Sequence, residues 1–237
     1  MTSPPLDIAR IRAITLDLDD TLWPVWPTIH RAEETLRAWL DTHAPRTAAL
    51  ARDQETAHRA RQQAVASHPH QTHDLALMRR AAIRQLLHWG NDDPALADPA
   101  FDVFFAARQQ VTLFDDALPA LEALSARYPV VAVTNGNADV HRIGIGQHFH
   151  AAIYAAQVGV AKPDPRIFSA AAQAAGVPED AVLHIGDDAH LDGAGALAAG
   201  MQVAWINSTG EQWPRTIPGS PHAVAADLRE LCRMIGA

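Results

Sequence analysis

Residues 11–21, IRAITLDLDDT, run from an apolar stretch directly into a cluster of aspartates. The first part reads as a buried strand and the second as its acidic end. Residues two apart in an extended chain point to the same side. Asp17 and Asp19 therefore face one bound group while Leu18 faces away. Four more apolar runs follow: PVVAVT at 129–134, AAIYAA at 151–156, AVLHIG at 181–186 and MQVAWI at 201–206. Helical patterns separate the later ones. Asp116 to Arg127 carries Leu118, Leu121 and Leu124. Asp164-Pro165 has the form of an N-cap followed by proline at the first helical position, and Gly176 stands where a C-terminal glycine belongs. A helix over 190–199 ends at Gly200, and another over 223–235 closes the chain. Strands alternating with helices predict an α/β fold with a doubly wound parallel, Rossmann-like sheet covered on both faces.

Residues 24–112 break this rhythm. Ile29, Ala32, Leu36 and Trp39 recur with helical period, as do Leu75, Met78, Ala82 and Leu86 in a segment that ends at Gly90. Asp98-Pro99 opens a further helix with Phe101, Phe104 and Phe105. The alanine-rich stretch 46–67 is a weaker helix. The expected organisation is a catalytic core of residues 1–23 and 113–237 with an all-helical cap domain, 24–112, inserted. NSTGEQWPRTIPGSPH at 207–222 reads as a long loop.

Composition narrows the function. The chain has 237 residues, 48% of them hydrophobic and 19% charged, so a packed core is expected and disorder is not. A net charge of −8 lacks the basic footprint of a nucleic-acid binder. Cys232 is the only cysteine, which fits a reducing compartment and excludes an intramolecular disulfide. MTSPPLDIAR lacks the apolar core of a signal peptide, and no run approaches the ~18 apolar residues of a membrane span. A cytoplasmic protein, monomer or homodimer, with no membrane partner is expected.

Four motifs carry possible chemistry, each at or beside the end of a core strand, where parallel sheets place ligands. They are DLDDT at 17–21, VTNGN at 133–137, VAKPDP at 160–165 and GDDAHLD at 186–192. Taken singly, each has a plain reading as a capped turn or a solvated charge. Thr134 and Asn135 offer a hydroxyl and backbone N–H groups of the kind that suit a phosphate oxygen. The acids of the last motif could hold a metal ion with oxygen ligands. Gly193, Gly195 and Ala198 formally fit a dinucleotide fingerprint. They do not follow their strand directly, so close helix packing is the better reading. His184 reads as a core histidine. His68, His70 and His73 read as a solvated turn around Pro69 rather than a zinc site.

In this order the four motifs resemble the haloacid dehalogenase-like superfamily, in its phosphatase branch. VTNGNAD, GVAKPDPRIF and HIGDD further resemble a bacterial branch that dephosphorylates flavin mononucleotide and a riboflavin-pathway pyrimidine phosphate. The resemblance implies a phosphomonoester hydrolase acting on a small phosphorylated metabolite. It implies Asp17 as nucleophile and Asp19 as acid and base. Thr134, Lys162 and the backbone of Asn135 would hold phosphate. Mg2+ would sit on Asp17, Asp187 and the main-chain carbonyl of Asp19, with Asp188 and Asp192 supporting. Four carboxylates against one lysine argue separately for a cation, and crowded like charges favour a protonated Asp19. Trp23 and Trp26, at the entry to the insertion, are candidates to stack on a planar substrate ring. Sugar phosphates and nucleotides are alternative substrates. A haloacid dehalogenase or a phospho-acceptor domain fits less well, since neither carries the second acid, Asp19.

Overall fold

The computed structural model describes residues 5–237; residues 1–4, read above as part of the core segment 1–23, lie outside the described residues. Apolar runs without alternation should be buried on both faces, and they are. β1 (Ala13–Leu16), β2 (Val130–Thr134), β4 (Val182–Gly186) and β5 (Gln202–Ile206) are buried at every position. β3 (Ala151–Tyr154) is half-buried, and β6 (Ala223–Ala225) leaves Val224 exposed. The strands form one sheet in the order β3-β2-β1-β4-β5-β6, every pair parallel. The chain steps outward from β1 to β2 and β3, then returns to the other side at β4. β1 and β4 flank this reversal, which opens a crevice beyond their carboxyl ends.

The chain divides into two compact units, Val25–Val111 and the flanking segments up to Pro24 and from Thr112. The helical unit contains α1 (Val25–His43), α2 (Pro45–Arg52), α3 (Gln54–Ser67), α4 (Leu75–Gly90) and α5 (Ala97–Arg108). Leu36 and Leu40 of α1 pack with Ile83 and Leu87 of α4 and Phe101 and Phe104 of α5. The weak helical stretch 46–67 resolves into α2 and α3. They are divided at Asp53, whose carboxylate accepts from the Thr56 N–H. The apolar stripe of α4 is Ala82, Ile83, Leu86 and Leu87, so Leu75 at its start is 48% exposed.

In the sheet-bearing unit, α6 (Ala117–Ser125) precedes β2. The short α7 (Val140–Ile143) and α8 (Ala155–Val158) flank β3. α9 (Pro165–Ala175) begins and ends as expected, with Asp164 accepting from the Arg166 N–H and Gly176 at φ 70°. Its Ile167, Phe168, Ala171 and Ala172 form one stripe against Val131, Val133, Val182 and Val203 of the sheet. Full burial of residues such as Ile167 and Phe168 contributes about 1.5–3 kcal/mol each. The last elements are α10 (Gly195–Ala198) and α11 (Leu228–Ile235).

Three sequence expectations shift. The expected helix over 190–199 begins as a π-helix, Ala189–Ala194, before α10. The expected helix over 223–235 is β6 followed by α11, whose start is set by Asp227 accepting from the Glu230 N–H. α4 ends at Gly90, as expected, with Asn91 taking the left-handed cap at φ 53°. α5 starts at Ala97, so Asp98-Pro99 lies inside its first turn. Where the chain leaves and rejoins the sheet-bearing unit, the Phe114 N–H donates to the Leu22 carbonyl at 2.9 Å. Among the described residues no helix is long and apolar enough to cross a membrane.

Candidate active site

β1, β2 and β4 end side by side, and each delivers a polar residue at its carboxyl end: Asp17, Thr134 and Asp187. Together with Asp19, Asn135, Lys162, Asp188 and Asp192 they line a cavity of about 170 Å³. Pockets for whole metabolites run about 300–1,000 Å³, so this one has room for a phosphate-sized group and little more. Every residue expected at the site is therefore present around one cavity, the two tryptophans excepted.

Lys162 lies at its base, 5% exposed. Its Nζ donates to Asp17 Oδ1, and at 2.7 Å to Asp192 Oδ1. Burial alone would lower the Lys162 pKa, but Asp17 and Asp192 outweigh it and keep the ammonium charged. Its backbone is clamped by the Asn135 side chain. Asn135 Oδ1 accepts from the Lys162 N–H at 2.7 Å, and Asn135 Nδ2 donates to the Lys162 carbonyl at 3.0 Å. The Asn135 side chain thus positions the lysine, while Thr134 Oγ1 accepts from the Gly136 N–H and stiffens the turn after β2.

The acids divide into two groups. Asp192 is held below the usual carboxylate range. Burial alone would raise it, but Lys162 and a hydrogen bond from His184 prevail. Burial pushes Asp17 well above that range, opposed by Lys162 and reinforced by the charges of Asp192 and Asp187. Burial and then Asp192 push Asp187 up to about 7. Thr21 Oγ1 lies 3.1 Å from Asp17 Oδ2 and 3.0 Å from Asp187 Oδ1. It has one proton to share between the two carboxylates. Carboxylate oxygens of Asp17, Asp187 and Asp192 converge within 4.8 Å of one another. Asp192 is committed to Lys162, which leaves Asp17 and Asp187 as an under-neutralised pair of hard oxygen donors. That is the donor chemistry of a magnesium-type cation.

Asp188 acts through its backbone and as a cap. Its carboxylate accepts from the N–H groups of His190 and Leu191, and its own N–H donates to Asp192 Oδ2 at 3.2 Å. Trp205 Nε1 donates to the Asp187 carbonyl at 2.7 Å. Asp19 Oδ1 accepts from Trp23 Nε1 at 2.8 Å. Trp23 is fully buried, which corrects the expectation that it stacks on substrate: its faces are in the core and its N–H orients Asp19. Trp26 is 66% exposed on α1, beside His30. Asp20, between these acids, takes a left-handed backbone at φ 62°, the kind of strain that gathers at functional turns.

Thr21 and His184 were not singled out from the sequence as site residues, and both belong here. The signal for His184 was a polar residue inside an otherwise apolar strand.

Two glycines permit close approaches. A Cβ on Gly195 would lie 2.4 Å from the Phe168 ring, so the fingerprint-like glycines serve packing. A Cβ on Gly186 would lie 2.4 Å from Asp192 Cγ. Gly186→Ala is expected to destabilise by about 1–3 kcal/mol, as overpacking does, and to lower kcat/KM by displacing Asp192. Urea unfolding and kinetics check this, and unchanged values for both would remove Gly186 from the account.

A wider cavity of about 750 Å³ shares Asp20, Asp187 and Asp188 with the small one and continues past Phe114, Trp205 and Asn207.

A family model described as haloacid dehalogenase-like hydrolase matches residues 11–200. The 5-amino-6-(5-phospho-D-ribitylamino)uracil phosphatase YigB of Escherichia coli is 31% identical over 234 residues, 96% of this chain and 98% of that one. The phosphoserine phosphatase of Thermus thermophilus is 32% identical over 160 residues, 65% of this chain and 63% of that protein. A crystal structure named as a 2-haloacid dehalogenase from Pseudomonas syringae pv. Tomato superimposes with a TM-score of 0.89 at 35% identity. It covers 95% of this chain and 98% of its own.

Proposed function

The chain belongs to the haloacid dehalogenase-like hydrolase family and is a phosphatase, and from that premise we propose a magnesium-dependent phosphomonoester hydrolase working through an aspartyl phosphate on Asp17. One observation carries the reading. A carboxylate, an ammonium and a second, indole-oriented carboxylate meet around a phosphate-sized cavity at the ends of adjacent strands. Asp17 attacks phosphorus, forming an O–P bond as the ester oxygen leaves. Asp19 gives that oxygen its proton, then takes one from the water that hydrolyses the intermediate. Lys162, Thr134 and the backbone N–H of Asn135 hold the phosphoryl oxygens. Asp17, Asp187 and the Asp19 carbonyl would hold magnesium, which supplies the positive charge that the acids leave wanting.

For the substrate we propose flavin mononucleotide or a riboflavin-pathway pyrimidine phosphate. The full-length likeness to the ribitylaminouracil phosphatase supports this. So does the wider cavity: its aspartates would accept hydrogen bonds from a ribityl chain's hydroxyls and would repel a second phosphate. In that reading the helical unit acts as a cap that selects among metabolites. Sugar phosphates and nucleotides are the alternative. A haloacid substrate is disfavoured by Asp19, since a halide departs without a proton while an alkoxide needs one.

The test is phosphate release across a panel of phosphorylated metabolites, with magnesium and then with excess chelator. Activity should fall about a hundredfold or more in chelator, the scale of a lost preorganised charge, and return with magnesium. Full activity in chelator would sink the metal assignment. Ribityl phosphates ranking tenfold below sugar phosphates, about 1.4 kcal/mol, would remove the substrate assignment and leave the phosphatase standing. Halide release from 2-haloacids without phosphate release would replace it.

A further inference from the structure

His184 lies in the middle of β4, fully buried, directly opposite Thr15 of β1 in the sheet register. Its Nδ1 is 2.9 Å from Thr15 Oγ1, and its Nε2 is 3.1 Å from Asp192 Oδ1. An ionised Asp192 can only accept, so Nε2 carries the proton. Nδ1 then offers its lone pair, and the Thr15 hydroxyl donates to it. The Phe168 ring meets the imidazole edge-on, at 4.9 Å and 88°, and fixes its plane. From Asp192 the contacts run on to Lys162 and from there to Asp17. Asp17 is two residues beyond Thr15, just past the end of β1, where extended chain keeps both on the same face. The hydrogen bonds thus run in a chain from Thr15 to His184, Asp192, Lys162 and Asp17, and the backbone from Thr15 to Asp17 closes the circuit. All five side chains are buried.

A histidine needed only to fill the core would be costly, because a buried polar ring requires partners for both nitrogens. Here both partners are supplied, and one of them is the acid that carries the lysine.

We propose that His184 is a positioning residue: its Nε2–H anchors Asp192 and thereby sets where the Lys162 ammonium stands beside Asp17. This rests on the reading of Lys162 as the group that meets phosphate. Without the anchor, one oxygen of Asp192 loses a charge-assisted bond. Asp192 can then turn, and Lys162 follows it away from the phosphate position. The effect should appear in phosphate affinity as well as in turnover.

The experiment compares His184→Met with His184→Gln. Met fills the volume without a donor. Gln reaches with an amide N–H to about the place of Nε2. Both are checked for folding by circular dichroism and thermal unfolding. The readouts are kcat, KM and competitive inhibition by inorganic phosphate, with magnesium present. His184→Met should lose about 10–100-fold in kcat/KM, the range seen when an outer partner of a functional group is removed. Its phosphate inhibition constant should rise in parallel. His184→Gln should recover most of both. A folded His184→Met with wild-type kinetics and phosphate affinity overturns the proposal, and so does equal impairment of the two variants.

If His184→Met does not fold, His184→Gln decides alone: near-wild-type phosphate affinity supports the anchor, and a loss as large as that of Lys162→Met overturns it. Lys162→Met also separates the two readings. If it retains activity, the assignment of Lys162 itself has failed. If it is inactive while His184→Met is normal, only the positioning role has failed.

Discussion

Asp17→Asn should abolish turnover, by on the order of 10⁴–10⁶-fold in kcat, the scale of losing a covalent nucleophile, and the variant should be at least as stable as the parent. The first half follows from chemistry: an amide has no anionic oxygen to attack phosphorus. The second follows from the site. Burial and the neighbouring acids raise the Asp17 pKa. A carboxyl raised in the folded state is ionised at a cost to stability above its unfolded pKa. Asn removes that cost, keeps an oxygen for Lys162 and presents an amide to the Thr21 hydroxyl. Thermal unfolding in chelator, where no cation offsets the charge, is the clean comparison. Activity within tenfold of the parent would end the case for Asp17 as nucleophile. A marked fall in unfolding temperature would show its ionised form to be structural.

Asp19→Asn should cost about 10²–10⁴-fold, the usual weight of a general acid–base group, and its size should depend on the leaving group. An alkyl phosphate needs a proton on the departing oxygen, so the first step suffers. An aryl phosphate leaves without that help, so only hydrolysis of the intermediate is slowed. With an aryl phosphate the variant should therefore release phenol in a burst and accumulate phosphorylated protein. Rapid-quench kinetics and intact-mass measurement would detect both. Equal losses for the two substrates, with no phosphorylated protein, would take the base role away from Asp19.

The sheet was legible because central parallel strands are buried on both faces and leave continuous apolar runs. That signal held for β1, β2, β4 and β5. It failed for β6, where Ala223–Ala225 is too short for any period and is defined by pairing with β5. The start of α10 was misread because a π-helix and an α-helix differ by hydrogen bonds that periodicity over six residues cannot distinguish. At the site, Asp17, Thr134 and Asp187 could be located because each sits at a strand end, where sequence order translates into spatial order; Lys162, separated from β3 by α8, was placed by its position just before a proline-opened helix in the ordered set of motifs. The partners beneath them were harder. Trp23 was noticed for its aromatic faces, while its use lies in an N–H four residues from Asp19 across one turn. His184 and Asp192 meet because the π-helix after β4 brings Asp192 back beside the strand end, so close that a methyl group on Gly186 would strike its carboxylate. Lys162 and Asp17 are 145 residues apart, and only the sheet brings them together.

The hydrogen bond from the Phe114 N–H to the Leu22 carbonyl has a consequence for how such a protein can change. It joins the two chain crossings on the sheet-bearing side, so the helical unit is an excursion whose ends meet there. The entropy of closing such a loop rises only with the logarithm of its length, about 0.6 kcal/mol per doubling. Changes in the length of flexible segments within the excursion therefore cost the core little. An insertion of this kind is a cassette: it can lengthen, shorten or be exchanged by recombination while the strands that carry the aspartates and the lysine keep their register. If the helical unit selects substrate as proposed, specificity can change there while the strand-end chemistry stays as it is.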